Sequence, residues 1–435
     1  MMRTTEILFS EYGYPGTELD QMSRSERVAV IGAGRTRFGE LFDRSLISLV
    51  AEAGIKALED ANVSRHELDE MFIGTFVPEI QNDQGNFSAL LCEEIGINIP
   101  TTRVEAACAS GGAAVYNGAR AIKSGECDLV LVGGAEKATD RNAREAYMAA
   151  ASEWERLYSF DFISLNAILT QRYLFEYNET SMEDFSLVSV KNHKHALRNP
   201  NAHFRKEITV EKVLNSPMIS DPVKLLDCSP VSDGSAAIIL ASEERAKQLA
   251  DDPVYLTGCG MNSDTIGLYA RSSLSHLKAT VMASSTAFKR SGLSISEVDL
   301  FELHDAYIIQ EVMGYEDLGI VDNGQGPRLV REAFENSSED SDHIVYESRG
   351  KDFVVNAGGG LKADGHPVGA TGVRQIGEIY QQMTGKTPYP IEKSLGRTPE
   401  VGLAQNVGGS GSNVTVSLLE TKSHMKSRLD RGGKR

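Results

Sequence analysis

The chain repeats itself, and the repeat limits the folds open to it more than any other feature. Residues 57–74 align without a gap on residues 287–304. Each copy reads as a helix end, a turn, an acidic N-cap region and a short buried strand. Three further pairs agree in order: 27–32 with 253–258, 128–134 with 352–358, and 234–240 with 411–417. One match could be chance; four in one order indicate a duplicated unit. Short apolar strands alternating with helical stretches predict α/β layers and mixed sheets. Sites in such a duplication often form between the copies.

The two copies are unequal. Residues 136–227 add roughly ninety residues to the first, far beyond an ordinary loop, and predict a mostly helical subdomain lying over the site. Residues 321–351 are a smaller insertion in the second, acidic and poor in apolar residues around Asn336 to Asp342, and are expected to form a mobile surface loop. The resulting division is an N-terminal extension (1–26), a first half (27–135 and 228–248), the insertion (136–227), a second half (249–420) and a basic tail (421–435). The tail is expected to fray.

Composition narrows the partners. A net charge of −17 argues against a broad face for nucleic acid or anionic membrane, so an anionic ligand would need a local basic patch. The five cysteines (Cys92, Cys108, Cys127, Cys228, Cys259) are scattered and form neither a disulfide framework nor a C-x-x-C metal site. Residues 1–27 are polar and do not resemble a secretory signal, and no stretch has the apolar length to cross a bilayer. A cytoplasmic protein is the expectation.

Cys108 opens a run of tiny residues, Ala109-Ser110-Gly111-Gly112-Ala113-Ala114, that continues with helical stride to Ile122. Its place at or near a helix N-terminus should favour the thiolate and suits a nucleophile; an inert Cys in a packed helix is the other reading. Gly32-Ala33-Gly34 suggests a dinucleotide loop, but the third glycine is misplaced and no strand ending in an acidic residue follows. NAD is discounted, and Arg35 and Arg37 are left to solvate the turn or meet a partner chain. Late in the chain, Gly365-His366-Pro367-Val368-Gly369-Ala370-Thr371-Gly372 describes a rigid loop that holds an imidazole among close backbone. His304-Asp305 ends the repeated strand, where α/β sheets keep their chemistry. Gln405-Asn406-Val407-Gly408-Gly409 precedes the last strand, and its amides could face a ligand oxygen.

Together these segments resemble the thiolase superfamily, over residues 27–420. The carrying marks are Ala107-Cys108-Ala109-Ser110-Gly111, His304-Asp305, the Gly-His-Pro-x-Gly loop at His366 and the closing glycine loop. The His-Asp form is similar to the sterol-carrier-type and archaeal acetoacetyl-CoA thiolase branch. The resemblance implies a duplicated, five-layered α-β-α-β-α fold with two mixed sheets and an inserted loop domain. It implies acyl transfer through Cys108, with His366 accepting the thiol proton, His304 donating to an enolate oxygen, and the amides of Cys108 and Gly408 holding the acyl carbonyl. Coenzyme A thioesters are then substrates, with no permanently bound cofactor and no metal.

The chain departs from that pattern at one point. Biosynthetic thiolases carry a second Cys where this chain has Asn406, and the sterol-carrier branch can place one where it has Ala306. The proton-handling group stays open between His304 and His366. A Cys-His-His set also resembles decarboxylating β-ketoacyl synthases, but Gly-His-Pro-x-Gly and His-Asp are more like a thiolase. For the anionic coenzyme the candidate patch is residues 191–206, with Lys191, Lys194, Arg198, Arg205 and Lys206; a solvated helix face is the alternative. The implied activity is acetyl-CoA C-acetyltransferase, making or cleaving acetoacetyl-CoA. Thiolysis of longer 3-ketoacyl-CoA and a partner-dependent, non-catalytic subunit are the alternatives. Implied partners are a second copy (dimer or tetramer) and an HMG-CoA synthase joined through a small zinc-binding OB-fold protein.

Overall fold

The computed structural model describes residues 27–338 and 340–432; the expected extension, 1–26, lies outside them. The first half contributes β1 (Val28–Arg35), β2 (Glu70–Gly74), β3 (Thr101–Val104) and β4 (Leu129–Glu136). The insertion then carries a small hairpin, β5 (Met218–Ser220) and β6 (Val223–Lys224), before β7 (Gly234–Ser242) closes the half. The second half contributes β8 (Val254–Ser263), β9 (Leu300–Glu302), β10 (Val345–Ser348), β11 (Lys351–Val355), β12 (Val401–Gly408) and β13 (Asn413–Thr421). Their order is β10-β11-β9-β12-β13-β8-β1-β7-β4-β2-β3. The two mixed half-sheets meet where Val28, Ala29 and Val30 pair antiparallel with Leu256, Tyr255 and Val254, giving one continuous 11-stranded sheet.

The main helices are α1 (Leu46–Ala61), α2 (Ser110–Lys123), α3 (Phe162–Glu176), α4 (Met182–His195), α5 (Lys278–Ser291), α6 (Ile308–Asp317) and α7 (Thr371–Met383). α1 packs on β1 and β7, and α5 packs on β8 and β13, while α2 and α7 touch each other and strands of both halves. The layers are therefore helix, half-sheet, central helix pair, half-sheet, helix. A Cβ on Gly111 would sit 2.6 Å from the Gly369 carbonyl oxygen, so α2 can approach the entry to α7 this closely only with glycine at 111.

The duplication is visible in atomic detail. α1 ends on Asn62 and α5 on Gly292, both left-handed. Ser64 with Glu67, and Ser294 with Glu297, form the same capping box in the turn that follows, satisfying backbone donors before β2 and β9. The Gly32-x-Gly34 pair has a counterpart in Gly258-x-Gly260. A Cβ on any of the four would come within 2.0–2.6 Å of the backbone of α1 or α5. The apparent dinucleotide loop is thus a helix-packing device, and Arg35, 9% exposed, holds Asp364 through two 2.8 Å bonds rather than solvating a turn.

Three expectations need correction. The pairing of 128–134 with 352–358 is wrong by one strand. β4 runs parallel to β2 and antiparallel to β7, as β12 does to β9 and β13, so β11 is the counterpart of β3. The insertion 321–351 is not one loop: it carries the helix Gly326–Asn336 and strand β10, paired to β11. The tail does not fray over 422–432, where a helix Lys422–Gly432 forms. Buried Glu420 anchors it by accepting from Arg428 and His424.

Candidate active site

Because β3 and β11 are counterparts, the loop after each leads into one of the two central helices, and each loop delivers a candidate side chain. Cys108 follows β3 and precedes α2; Ala107 before it is left-handed (φ 51°), a strained conformation that turns the thiol inward. Ser110 fixes this turn, its hydroxyl accepting from the Ala106 amide and donating to the Ala107 carbonyl. His366 follows β11 and precedes α7. Its amide donates to Ser232 Oγ and its Nδ1 lies 2.7 Å from Thr371 Oγ1. His304 follows β9, and Asp305 ties that segment down by accepting from the amides of Leu361 and Lys362 and from Asn192.

The three residues predicted from sequence converge. Ligand atoms of Cys108, His304 and His366 lie within 4.8 Å of one another, all buried, and the imidazoles meet edge-on with centroids 5.2 Å apart. Among the described residues neither Nε2 has a hydrogen-bond partner. Asn406 on β12 sits among them. Its Oδ1 accepts from the Gly112 amide at 3.1 Å, and its Nδ2 lies 2.9 Å from the Cys108 carbonyl and 3.4 Å from His304 Nδ1.

The electrostatics overturn one expectation. Burial pushes the Cys108 thiol up to about 12, against the lowering effect of the Gly409 amide and its own amide. Desolvation thus outweighs the helix end; Cys108 precedes α2 by two residues and rests as a thiol. Burial, with the Arg374 cation nearby, takes His366 down to about 3, and burial with His366 and Arg374 takes His304 well below its usual value. The site is therefore neutral at rest: one S–H and two uncharged rings.

The loop amide at the sulfur is that of Gly409, one residue beyond the expected Gly408. Gly408 packs against Ala106, where a Cβ would sit 2.4 Å from the carbonyl oxygen. Around Cys108 stands an apolar wall of Phe76, Phe162 and Val368, with Tyr147 and Tyr307 against it; nothing in the sequence pattern distinguishes these aromatic residues from core. Thr371 lay inside the glycine motif, but its contact with His366 required the fold.

Residues 191–206 are not the continuous basic surface that their composition suggests. Lys191 is fully buried and paired with Glu311, His193 and His195 face inward, and Arg198 meets Asp342. Arg205 and Lys206 are exposed, and their segment reaches the site: the amides of His203 and Phe204 donate to Asp364 and Ala363, and His203 contacts Ser232, which holds His366. Among the described residues no helix is long and apolar enough to cross a membrane.

Two family models cover most of the chain, one described as Thiolase, N-terminal domain over residues 28–244 and one as Thiolase C-terminal domain-like over 260–421. The chain is 41% identical over 395 residues to the acetyl-CoA acetyltransferase of Methanothermobacter thermautotrophicus, covering 90% of this chain and 99% of that protein. Among solved structures it resembles an Ltp2-ChsH2(DUF35) aldolase (TM-score 0.75, 23% identity, 91% of this chain and 97% of that one). It also resembles human mitochondrial 3-ketoacyl-CoA thiolase in complex with CoA (TM-score 0.68, 18% identity, 91% and 98%).

Proposed function

The chain belongs to the thiolase family and is an acyltransferase, and from that premise we propose that it interconverts two acetyl-CoA with acetoacetyl-CoA and CoA through an acetyl-Cys108 intermediate. The observation that carries this reading is the buried triangle of Cys108, His304 and His366, whose ligand atoms lie within 4.8 Å of one another, and whose two Nε2 atoms have no hydrogen-bond partner among the described residues. A neutral thiol beside a neutral imidazole is a resting nucleophile–base pair. His366 takes the thiol proton as sulfur attacks; His304 meets the enolate oxygen; the amides of Cys108 and of the 408–409 loop receive the oxyanion.

The aromatic wall at Cys108 supports a short acyl group, because rings of Phe76, Phe162 and Tyr147 already stand close together there. Arg205 and Lys206 are the cations we assign to the coenzyme's anionic end, since their segment is bonded to the His366 loop. In the condensing direction the equilibrium lies uphill, so a consumer of acetoacetyl-CoA such as an HMG-CoA synthase, in the cytoplasm, completes the reading. A bridging OB-fold zinc protein and self-association belong to the same proposal; a DUF35 protein is named with one of the solved structures that the chain resembles.

The test is cleavage of acetoacetyl-CoA by the purified chain with free CoA, compared with Cys108→Ala and with a 3-ketooctanoyl substrate. We expect cleavage that vanishes in the variant and is slower on the longer chain. A folded protein that cleaves only in the presence of a second subunit would favour the partner-dependent reading. Preference for the longer chain would favour general thiolysis.

A further inference from the structure

We propose that Asn406, in the place where biosynthetic thiolases carry a second thiol, positions His304 as an Nε2–H donor and thereby leaves His366 as the sole carrier of the mobile proton. The proposal rests on the roles given above to Cys108, His304 and His366.

The orientation of Asn406 follows from its partners. Oδ1 faces the Gly112 amide and Nδ2 faces the Cys108 carbonyl; a flipped amide would set donor against donor and acceptor against acceptor. The second Nδ2 hydrogen points to His304 Nδ1, which must present its lone pair. The proton of the neutral ring is then on Nε2. At His366 the logic reverses. Thr371 Oγ1 lies 3.2 Å from the Pro367 carbonyl, which only accepts, so the hydroxyl hydrogen goes there. His366 Nδ1 must donate to Oγ1, and its Nε2 carries the lone pair. Two imidazoles thus face one thiol in opposite tautomers, a fixed donor and a fixed base. A protonated Nε2 also argues against metal ligation by His304.

One travelling proton then serves the whole cycle. In the thiolytic direction Cys108 Sγ–H gives its proton to His366 Nε2 and the thiolate bonds to the keto carbon of acetoacetyl-CoA. The bond between that carbon and the α-carbon breaks, and its electron pair becomes an enolate whose oxygen faces His304 Nε2–H. His366 returns its proton to the α-carbon, releasing acetyl-CoA. CoA thiol next gives its proton to His366, its sulfur takes the acetyl group, and the departing Cys108 thiolate recovers the proton. Asn406 moves no proton; it keeps His304 from competing as a base.

Two half-reactions separate this from a packing role: acetylation of Cys108 by acetyl-CoA, read by mass spectrometry, and deuterium uptake at the acetyl methyl in D2O, read by NMR. Asn406→Asp places an acceptor at His304 Nδ1 and reverses its tautomer. Deuterium uptake and acetoacetyl-CoA cleavage should fall about 100-fold, the usual loss of one oxyanion donor, with acetylation within about threefold of wild type. His304→Gln retains a side-chain amide donor, and adding Asn406→Asp to it should cost less than about threefold more, because the two act as one unit. Equal losses in both half-reactions, or losses that multiply in the double variant, would overturn the proposal while leaving the thiolase reading intact. A wild-type protein that never acetylates Cys108 would overturn both.

Discussion

The proton inventory of the site sets its pH behaviour residue by residue. His366, the proposed base, must be neutral to act, and burial has carried it down to about 3, so its protonation should silence the enzyme only as pH falls through about 3, not at the usual imidazole value. Cys108, the proposed nucleophile, sits at about 12, so no rise from thiolate formation is due near neutrality. The kcat/KM for acetoacetyl-CoA, which reports the free enzyme, should change less than about threefold between pH 5.5 and 8. An inflection near 6.5 would show a solvated His366. Thr371→Val removes the acceptor that fixes the His366 tautomer and should lower kcat about tenfold with KM held, only part of the roughly 10²–10⁴-fold that a general base contributes, because the imidazole itself stays. The three candidate residues were legible in sequence on different marks: a run of tiny residues after Cys108, the end of the repeated strand at His304, and glycine and proline around His366. The resting thiol was not, since desolvation belongs to the packed interior rather than to the helix end. The role of Asn406 was equally hidden, because its partners are Gly112 and Cys108 of the other half and His304, 102 residues earlier in its own.

At the scale of elements, the fold turns on how closely its helices approach. Gly111→Ala would place a methyl 2.6 Å from one backbone atom of the α7 entry and 3.0 Å from two others. Backbone cannot yield as a side-chain tip can, so a loss of about 1–3 kcal/mol is expected, with activity falling further because Cys108 lies three residues away. Gly54→Ala in α1 is the control: its new methyl would meet only Leu131 Cδ1 at 3.6 Å. There the gain in helix propensity and the stiffer unfolded chain should raise stability by about 0.5–1 kcal/mol. Thermal unfolding of the two variants should therefore shift in opposite directions. The sequence repeat anticipated the α1 and α5 turns because a capping box and a left-handed cap leave local marks. It misassigned β11 because two apolar strands followed by glycines look alike until their sheet neighbours are known. The helix Gly326–Asn336 escaped notice because its charges made the segment read as a polar loop, although Leu329, Val330 and Ala333 mark one buried face.

For the molecule as a whole the question is how the insertion is fastened to the duplicated body, and Lys191 is where the basic-patch expectation and the structure disagree most sharply. Its ammonium is buried against Glu311, which also accepts from Asn192 and from Asn356 at the end of β11, while Asn192 reaches Asp305 beside His304. This network joins α4 of the insertion, α6 and the floor of the site. Lys191→Met would leave Glu311 buried without its cation, a change that typically costs about 3–5 kcal/mol, so the melting temperature should fall markedly. The KM for CoA, measured below the transition, should stay at the wild-type value. Lys206→Ala should do the reverse, raising the KM for CoA with little change in melting, because its charge is exposed and its backbone segment is held by Ala363 and Asp364 through His203 and Phe204. If Lys191→Met raised the KM and left stability untouched, the ammonium would have to turn outward toward the coenzyme, and the network that seats the insertion over Cys108 would need another anchor.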